Sequence, residues 1–353
     1  MRTQILAALI VISLLLTGCV EEPAPIPTRT PPPPTPIPSP TSGISPEAQA
    51  YLDEVIDSVR SHAINREMVN YEVFQGQVSV REMEAVTPRD TYDSVIYLLG
   101  QLKDGHSRFL TPEEAEWFQD LETASPENPE PIGGIRDGVA YLHISQFASG
   151  DLQVNQAYAN TLFDLVMALD AQSPCGWVID LRDNYGGNLA PMVSGMVPLI
   201  GDGVLGYFED VEGNRTPIEY DSGEFIGDDE NDWFDTGYRD ISLQHPNPPI
   251  AILIGPNTAS SGEMLALTFK GKENVIYFGH QTAGQTTGND KFDLSDGAIL
   301  LLTTAVFVDR EGTVYGGPVL PDLPLESVSG YSGEIPPEVS AWLSKQPSCQ
   351  VSE

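Results

Sequence analysis

The sequence predicts an α/β protein whose core is built from parallel crossover units and preceded by a small helical subdomain. Two observations carry this expectation. Short apolar runs at Val139–Ile144, Gly176–Leu181, Ile250–Ile254 and Val275–Phe278 alternate with helical periodicity in strand–helix–strand order. Before the first of these runs, residues 46 to 120 carry helix-type spacing. At 353 residues and 41% hydrophobic composition the chain can bury a full core, as one large domain or two small ones.

The first eighteen residues read as a lipoprotein signal peptide. Arg2 supplies a positive start, and Ile5 to Leu16 form an apolar stretch too short to span a bilayer with ease. Leu16-Thr17-Gly18-Cys19 then makes a lipobox: small residues admit a signal peptidase, and the Cys19 thiol accepts a diacylglycerol. The mature chain is expected to begin at Cys19, anchored to the outer face of a bacterial membrane. An uncleaved anchor helix is the alternative, and it also places the remainder outside the cytoplasm. Residues 19 to 45 are rich in proline, threonine and serine, with Pro31 to Pro34 in a row, and read as an extended stalk.

Helical chemistry begins at Ser45-Pro46, a cap followed by a first-turn proline, with Ala50, Leu52, Val55, Ile56 and Val59 at three- and four-residue steps. Arg89 to Leu102 repeats the pattern, with Tyr92, Val95, Ile96, Leu99 and Leu102 on one face, and Thr111-Pro112-Glu113-Glu114 opens a further helix. Residues 46 to 120 therefore form the expected helical subdomain. An acidic link from Glu122 to Pro131 leads into the core, expected over residues 121 to 330. There Val139–Ile144, a helix over Asn155–Ala171 and Gly176–Leu181 make one crossover; Ile250–Ile254, a helix over Ser261–Phe269 and Val275–Phe278 make the second. Asp221 to Asp240 reads as an acidic surface flap, since Asp228, Asp229, Glu230 and Asp232 lack the glycine and spacing of a calcium loop. Residues 331 to 353 are a C-terminal extension.

The formal charge of −34, from 17 basic and 51 acidic residues, makes nucleic acid a poor partner. It would draw in a cationic peptide, although a solubility device on an exported protein is the stronger reading. With Cys19 lipidated, Cys175 and Cys349 remain, and such a pair in an oxidising compartment is expected to join. The five histidines are scattered without metal-site spacing, so neither a metal nor a cofactor is expected.

Thr258-Ala259-Ser260-Ser261-Gly262-Glu263 lies between an apolar strand and an apolar helix, where helix N-terminal amides face whatever a serine attacks. The small neighbours permit a tight turn, and the amide after Ser260 can help to bind an oxyanion. Taken alone, the hexapeptide reads equally well as a helix cap completed by Glu263. Two further segments bear on it: Asp104-Gly105-His106-Ser107 after a helix, and Asp180-Leu181-Arg182-Asp183-Asn184-Tyr185-Gly186-Gly187-Asn188 after a buried strand.

Together the three segments resemble the tail-specific (C-terminal processing) peptidases and the tricorn protease core, a family that includes the repeats of interphotoreceptor retinoid-binding protein and the nisin-resistance peptidase. The resemblance runs from about Tyr51 through Asp322, ending in Pro321-Asp322 after an apolar strand. It implies a crotonase-like core and a serine peptidase. Ser260 would be the nucleophile, Ser261 would lend its backbone N–H, and Gly186 or Gly187 would supply the second oxyanion donor.

Tail-specific members carry a basic lysine 25 residues after their serine, where this chain has Gln285; Lys291 lies near by, but the segment matches the branch without a catalytic lysine. In that branch the histidine of D-G-H-S is the base, which is His106 here. The tricorn core places a glutamate before its G-V-x-P-D-like segment, whereas Tyr315 to Asp322 offers no acid at that place, leaving Glu263, Asp309 and Glu311 as weaker candidates to support the base. A PDZ domain is also missing, because Phe109 to Ile135 is far shorter than the roughly 50 residues a domain needs.

The expected reaction is hydrolysis of peptide bonds in extracytoplasmic polypeptides, cationic or unfolded, through an acyl-enzyme. The alternatives are a non-catalytic module of the same fold that binds apolar ligands, and an esterase using the same dyad.

Overall fold

Ser45 caps the first helix as its side chain requires: Oγ accepts the Ala48 amide at 3.1 Å, and α1 (Pro46–His62) buries Leu52, Val55, Ile56 and Val59. This computed structural model describes residues 43–82, 84–123, 128–221, 224–226, 242–326 and 333–350, all within the unit Ser42–Glu353. The signal segment, Cys19, the proline-rich stretch to residue 42, the acidic run at 228–232 and parts of the C-terminal extension lie outside the described residues.

Helices α2 (Tyr71–Arg81), α3 (Tyr92–Leu102) and α4 (Pro112–Thr123) follow. The buried face of α3 differs from the expected one. Its inward stripe is Val95, Leu98, Leu99 and Leu102, and Ile96, about 100° around the helix from Val95, is 56% exposed. These helices do not close a core among themselves. Leu294, Ala298, Leu300 and Leu302 complete it, so the helical region rests on β11 (Ile299–Asp309) and the turn that precedes it.

That strand belongs to an antiparallel sheet ordered β1 (Arg108–Leu110), β11, β5 (Gly203–Asp210), β6 (Arg215–Asp221) and β7 (Glu224–Ile226), with β10 (Thr287–Asp293) also paired to β11. The second sheet runs β12 (Leu323–Pro324), β9 (Val275–Gly279), β8 (Ile250–Ile254), β4 (Trp177–Asp180), β3 (Val139–His143) and β2 (Ile132–Arg136). Its pairs are parallel except β2 with β3.

Both crossovers are present, through α5 (Leu152–Asp170) and α7 (Ser261–Leu267). The strands are buried on both faces, as a parallel sheet requires. Leu142, Ile179 and Ile252 pack with Leu162 and Val166 of α5 and with Met192 and Met196 of α6 (Leu189–Ile200). On the other face Val178, Ala251 and Leu253 meet Val339 and Leu343 of α8 (Pro337–Leu343). The expected disulfide joins Cys175 to Cys349, with Cα atoms 4.7 Å apart, and ties the 3-10 turn Pro347–Cys349, beyond α8, to the entry of β4. The segment before Pro321-Asp322 is not a strand; the short strand β12 follows that pair, and Asp322 Oδ2 accepts the Tyr277 amide at 2.8 Å.

Candidate active site

Three loops make the site, two at the carboxyl ends of the parallel strands β8 and β4 and one at the end of α3. The first leaves β8. Thr258 Oγ1 donates to the Leu181 carbonyl at 2.8 Å and accepts the Gly255 amide at 3.0 Å, while Ala259 N–H donates to the Asn184 carbonyl at 2.9 Å. These bonds pin the chain so that Ser260 takes φ 50° and ψ −122°, a conformation L-residues rarely adopt, immediately before α7. A serine held on a sharp strand-to-helix turn presents its hydroxyl outward, which is the geometry of a nucleophile elbow.

Glu263, on the first turn of α7, holds this elbow from inside. It is fully buried, and its carboxylate accepts the amides of Ser260 (3.0 Å), Gly284 (2.9 Å) and Gln285 (2.7 Å) together with the Thr282 hydroxyl. Burial pushes its carboxyl up, and these hydrogen bonds pull the other way. Both oxygens are engaged, so Glu263 does not support His106 directly; that expectation is corrected.

The second loop follows β4. Asp180 and Arg182 form a buried pair at 2.6 Å, and Asn184 Nδ2 donates to the carbonyls of Ile144 (3.3 Å) and Ser145 (3.2 Å). Asn184 Oδ1 accepts the Gly186 amide at 2.9 Å, which commits that donor. Gly186 has φ 97°, and a Cβ there would lie 2.9 Å from Ser260 Cβ; Gly187 has φ 110°, and its Cβ would lie 2.0 Å from the Phe147 carbonyl. Only glycine lets this loop approach the serine. Ser261 Oγ donates to the Gly187 carbonyl at 2.6 Å and locks loop to helix. Among the described residues, neither the Ser261 nor the Gly187 N–H donates to a protein acceptor.

The third loop leaves α3 through Lys103 (φ 56°) and Gly105 (φ 66°). Asp104 shapes it, accepting the amides of His106 (3.0 Å) and Ser107 (2.9 Å) and the Ser107 hydroxyl (2.6 Å). His106 is half-buried, with Nδ1 2.8 Å from Thr287 Oγ1. Asn289 Nδ2 donates to the His106 carbonyl at 3.2 Å and Gln285 Nε2 to the Gly105 carbonyl at 3.4 Å. One segment, residues 284–289, thus binds Glu263 beneath Ser260 at one end and the His106 loop at the other. Burial lowers the imidazole pKa below its ordinary 6.5; Asp104 opposes this and Arg108 adds to it.

Asp309 and Glu311 are not in this cluster. Asp309 accepts the Glu311 and Thr313 amides, each at 2.9 Å, and the Tyr315 hydroxyl at 2.9 Å, closing the turn after β11, so neither acid supports His106. Lys291 lies along β10, 3.9 Å from Asp293. Thr287 was not singled out in the sequence, since a lone threonine in a polar strand carries no signal. Among the described residues no group of three or more His, Cys, Asp or Glu side chains could hold a metal ion.

The sequence model of peptidase family S41 matches residues 138–325, just over half of the chain; this span includes Ser260 and both glycines and begins after His106. The nisin-resistance protein of Lactococcus lactis is 36% identical over 195 residues, which are 55% of this chain and 58% of that protein. Among solved structures, a lipoprotein from Streptococcus agalactiae superposes with a TM-score of 0.64 at 26% identity, covering 80% of this chain and 93% of that one. The photosystem II D1 C-terminal processing protease shares the fold, with a TM-score of 0.55 at 16% identity over 80% of this chain and 94% of that one.

Proposed function

Because this chain belongs to peptidase family S41, we propose that it is a serine peptidase that hydrolyses extracytoplasmic polypeptides through an acyl-enzyme on Ser260, with His106 as general base. The observation that carries this reading is the strained elbow at Ser260, φ 50° and ψ −122°, with Gly186 packed against it. In this reading neutral His106 takes the Ser260 proton as Oγ attacks the scissile carbonyl, then passes it to the leaving amine as the C–N bond breaks. Water repeats the sequence to release the acyl group. The Ser261 and Gly187 amides, which meet no protein acceptor among the described residues, are suited to the oxyanion, whereas the Gly186 amide is engaged by Asn184. No lysine takes part, since Gln285 stands at the lysine position and its amide N–H is bound to Glu263.

A serine-directed fluorophosphonate tests the assignment. Peptide mapping should place the label on Ser260, with no labelling in Ser260→Ala and near-background labelling in His106→Ala. A label on another residue rejects the nucleophile. Hydrolysis of esters with no cleavage of any member of a peptide library would assign an esterase instead.

The same proposal places the enzyme on the outer face of a membrane through lipidated Cys19, a reading supported by the lipobox and by the streptococcal lipoprotein neighbour. Among the described residues no helix is long and apolar enough to cross a membrane. Intact mass of membrane-derived protein should show a chain that begins at Cys19 and carries acyl mass; an unmodified N-terminus elsewhere rejects the anchor.

A further inference from the structure

We infer that Thr287 is the residue that positions the base, its hydroxyl holding His106 by Nδ1 where a carboxylate stands in the usual triad. This rests on the Ser260–His106 reading and deepens it. Thr287 Oγ1 lies 2.8 Å from Nδ1, and the residue is 7% exposed. Its backbone is set by the sheet, where it opens β10 opposite Val306 of β11, and a β-branched side chain in a strand has few rotamers to lose. The hydroxyl is therefore a fixed partner.

Among the described residues no acid competes for the role. Asp104 spends Oδ1 on the His106 and Ser107 amides and Oδ2 on the Ser107 hydroxyl, and Glu263 spends its carboxylate on the elbow. Among the described residues the charged groups bearing on the ring are Asp104 of its own loop and Arg108 of β1; Gln285, Thr287 and Asn289, which approach the loop from the facing segment, are neutral.

A hydroxyl accepting from Nδ1–H leaves the Nε2 lone pair free, and among the described residues no hydrogen bond reaches Nε2. When Nε2 gains the Ser260 proton, Nδ1–H still donates to Thr287, so one bond serves both states of the base. The hydroxyl orients the ring without a charge to stabilise the imidazolium. Burial can then keep the free base neutral at lower pH than a carboxylate partner would allow.

The test is the rate of fluorophosphonate labelling of Ser260 against pH in the full chain, for the wild type, Thr287→Val, Thr287→Ser, Thr287→Asp and His106→Ala. Thr287→Val, which keeps the shape and removes the hydroxyl, should slow labelling about tenfold to a hundredfold, part of what a general base supplies. Thr287→Ser should restore most of the rate. Thr287→Asp should move the acid limb of the profile upward by about one pH unit or more, because an anion beside an imidazole favours its protonated form. A side chain at 287 that did not reach Nδ1 would leave that limb in place, and a hydroxyl without a positioning role would leave the Thr287→Val rate unchanged. Wild-type labelling by Thr287→Val, or an acid limb unmoved in Thr287→Asp, overturns the inference. Should Thr287→Val fail to fold, a Thr287→Ser rate near background would do the same. Wild-type labelling by His106→Ala instead rejects the base itself, so the two failures are told apart.

Discussion

Ser260 is held in its unusual backbone conformation by a carboxylate whose hydrogen bonds go neither to the ring of His106 nor to the Ser260 hydroxyl. Glu263 supports the Ser260, Gly284 and Gln285 amides together, so Glu263→Ala should leave several buried donors unpaired at once. At about 1–3 kcal/mol for each unsatisfied group, the expected loss is on the order of 3 kcal/mol or more, visible as a lowered denaturation midpoint. A Glu263→Ala variant of wild-type stability would mean that the elbow holds itself. His106 makes a second prediction at this scale. Its pKa is lowered, so the reactive neutral form persists below pH 6.5, and activity should rise with pH through a midpoint on the acid side of that value. The same shift has a stability sign. The unfolded chain takes the proton first as pH falls, so His106 should cost stability progressively from about pH 6.5 downward, and the buried His143, also lowered by burial, should act in the same direction. Ser260 and His106, the proposed nucleophile and base, were legible as candidates in the sequence because both sit in compact motifs with small neighbours. Thr287 was not, because its role exists only through a contact made across 181 residues.

At the level of elements, the two parallel crossovers were legible because their strands are short apolar runs bounded by turns, and their helices carry an apolar stripe. α6 escaped notice for the opposite reason: all twelve of its residues are buried, so no polar face gives it a period, and Pro198 lies inside it. The antiparallel sheet was missed too, since β10 is largely exposed, β5 shows no clean alternation and β6 alternates only over residues 217–221. The loop after β4 yields a sharp test. A Cβ on Gly187 would lie 2.0 Å from the Phe147 carbonyl, at a φ of 110° that L-residues avoid. Gly187→Ala should therefore displace the loop from α7, reducing hydrolysis to near background, whereas Gly100→Ala, where a Cβ meets nothing within 4 Å, should leave it unchanged. Equal activity of the two variants would remove the loop from the site.

For the molecule as a whole, the helical region carries His106, the proposed base, and the loop after β8 carries Ser260, the proposed nucleophile; residues 284–289 bind Glu263 at one end and the His106 loop at the other. The expected helical subdomain is thus sealed by Leu300 and Leu302 of β11, a dependence that helix periodicity alone does not reveal. The pairing of Cys175 with Cys349 followed from compartment and thiol number, with no information on distance. It closes a sequence separation of 174 residues and should contribute about 5 kcal/mol in the chain-entropy model, less where strain intervenes. Cys175→Ser should lower the denaturation midpoint without abolishing turnover, because the bond lies behind α8 and away from Ser260; an inactive but folded variant would contradict that placement. The central claim, one catalytic unit made of Ser260 and His106, is tested most directly by peptide turnover in Ser260→Ala, His106→Ala and the double variant, each shown to be folded. Both single variants should fall to near background and the double should be little worse than either, since groups acting as one unit are not additive. Wild-type turnover by His106→Ala on a peptide that Ser260→Ala cannot cleave would contradict it.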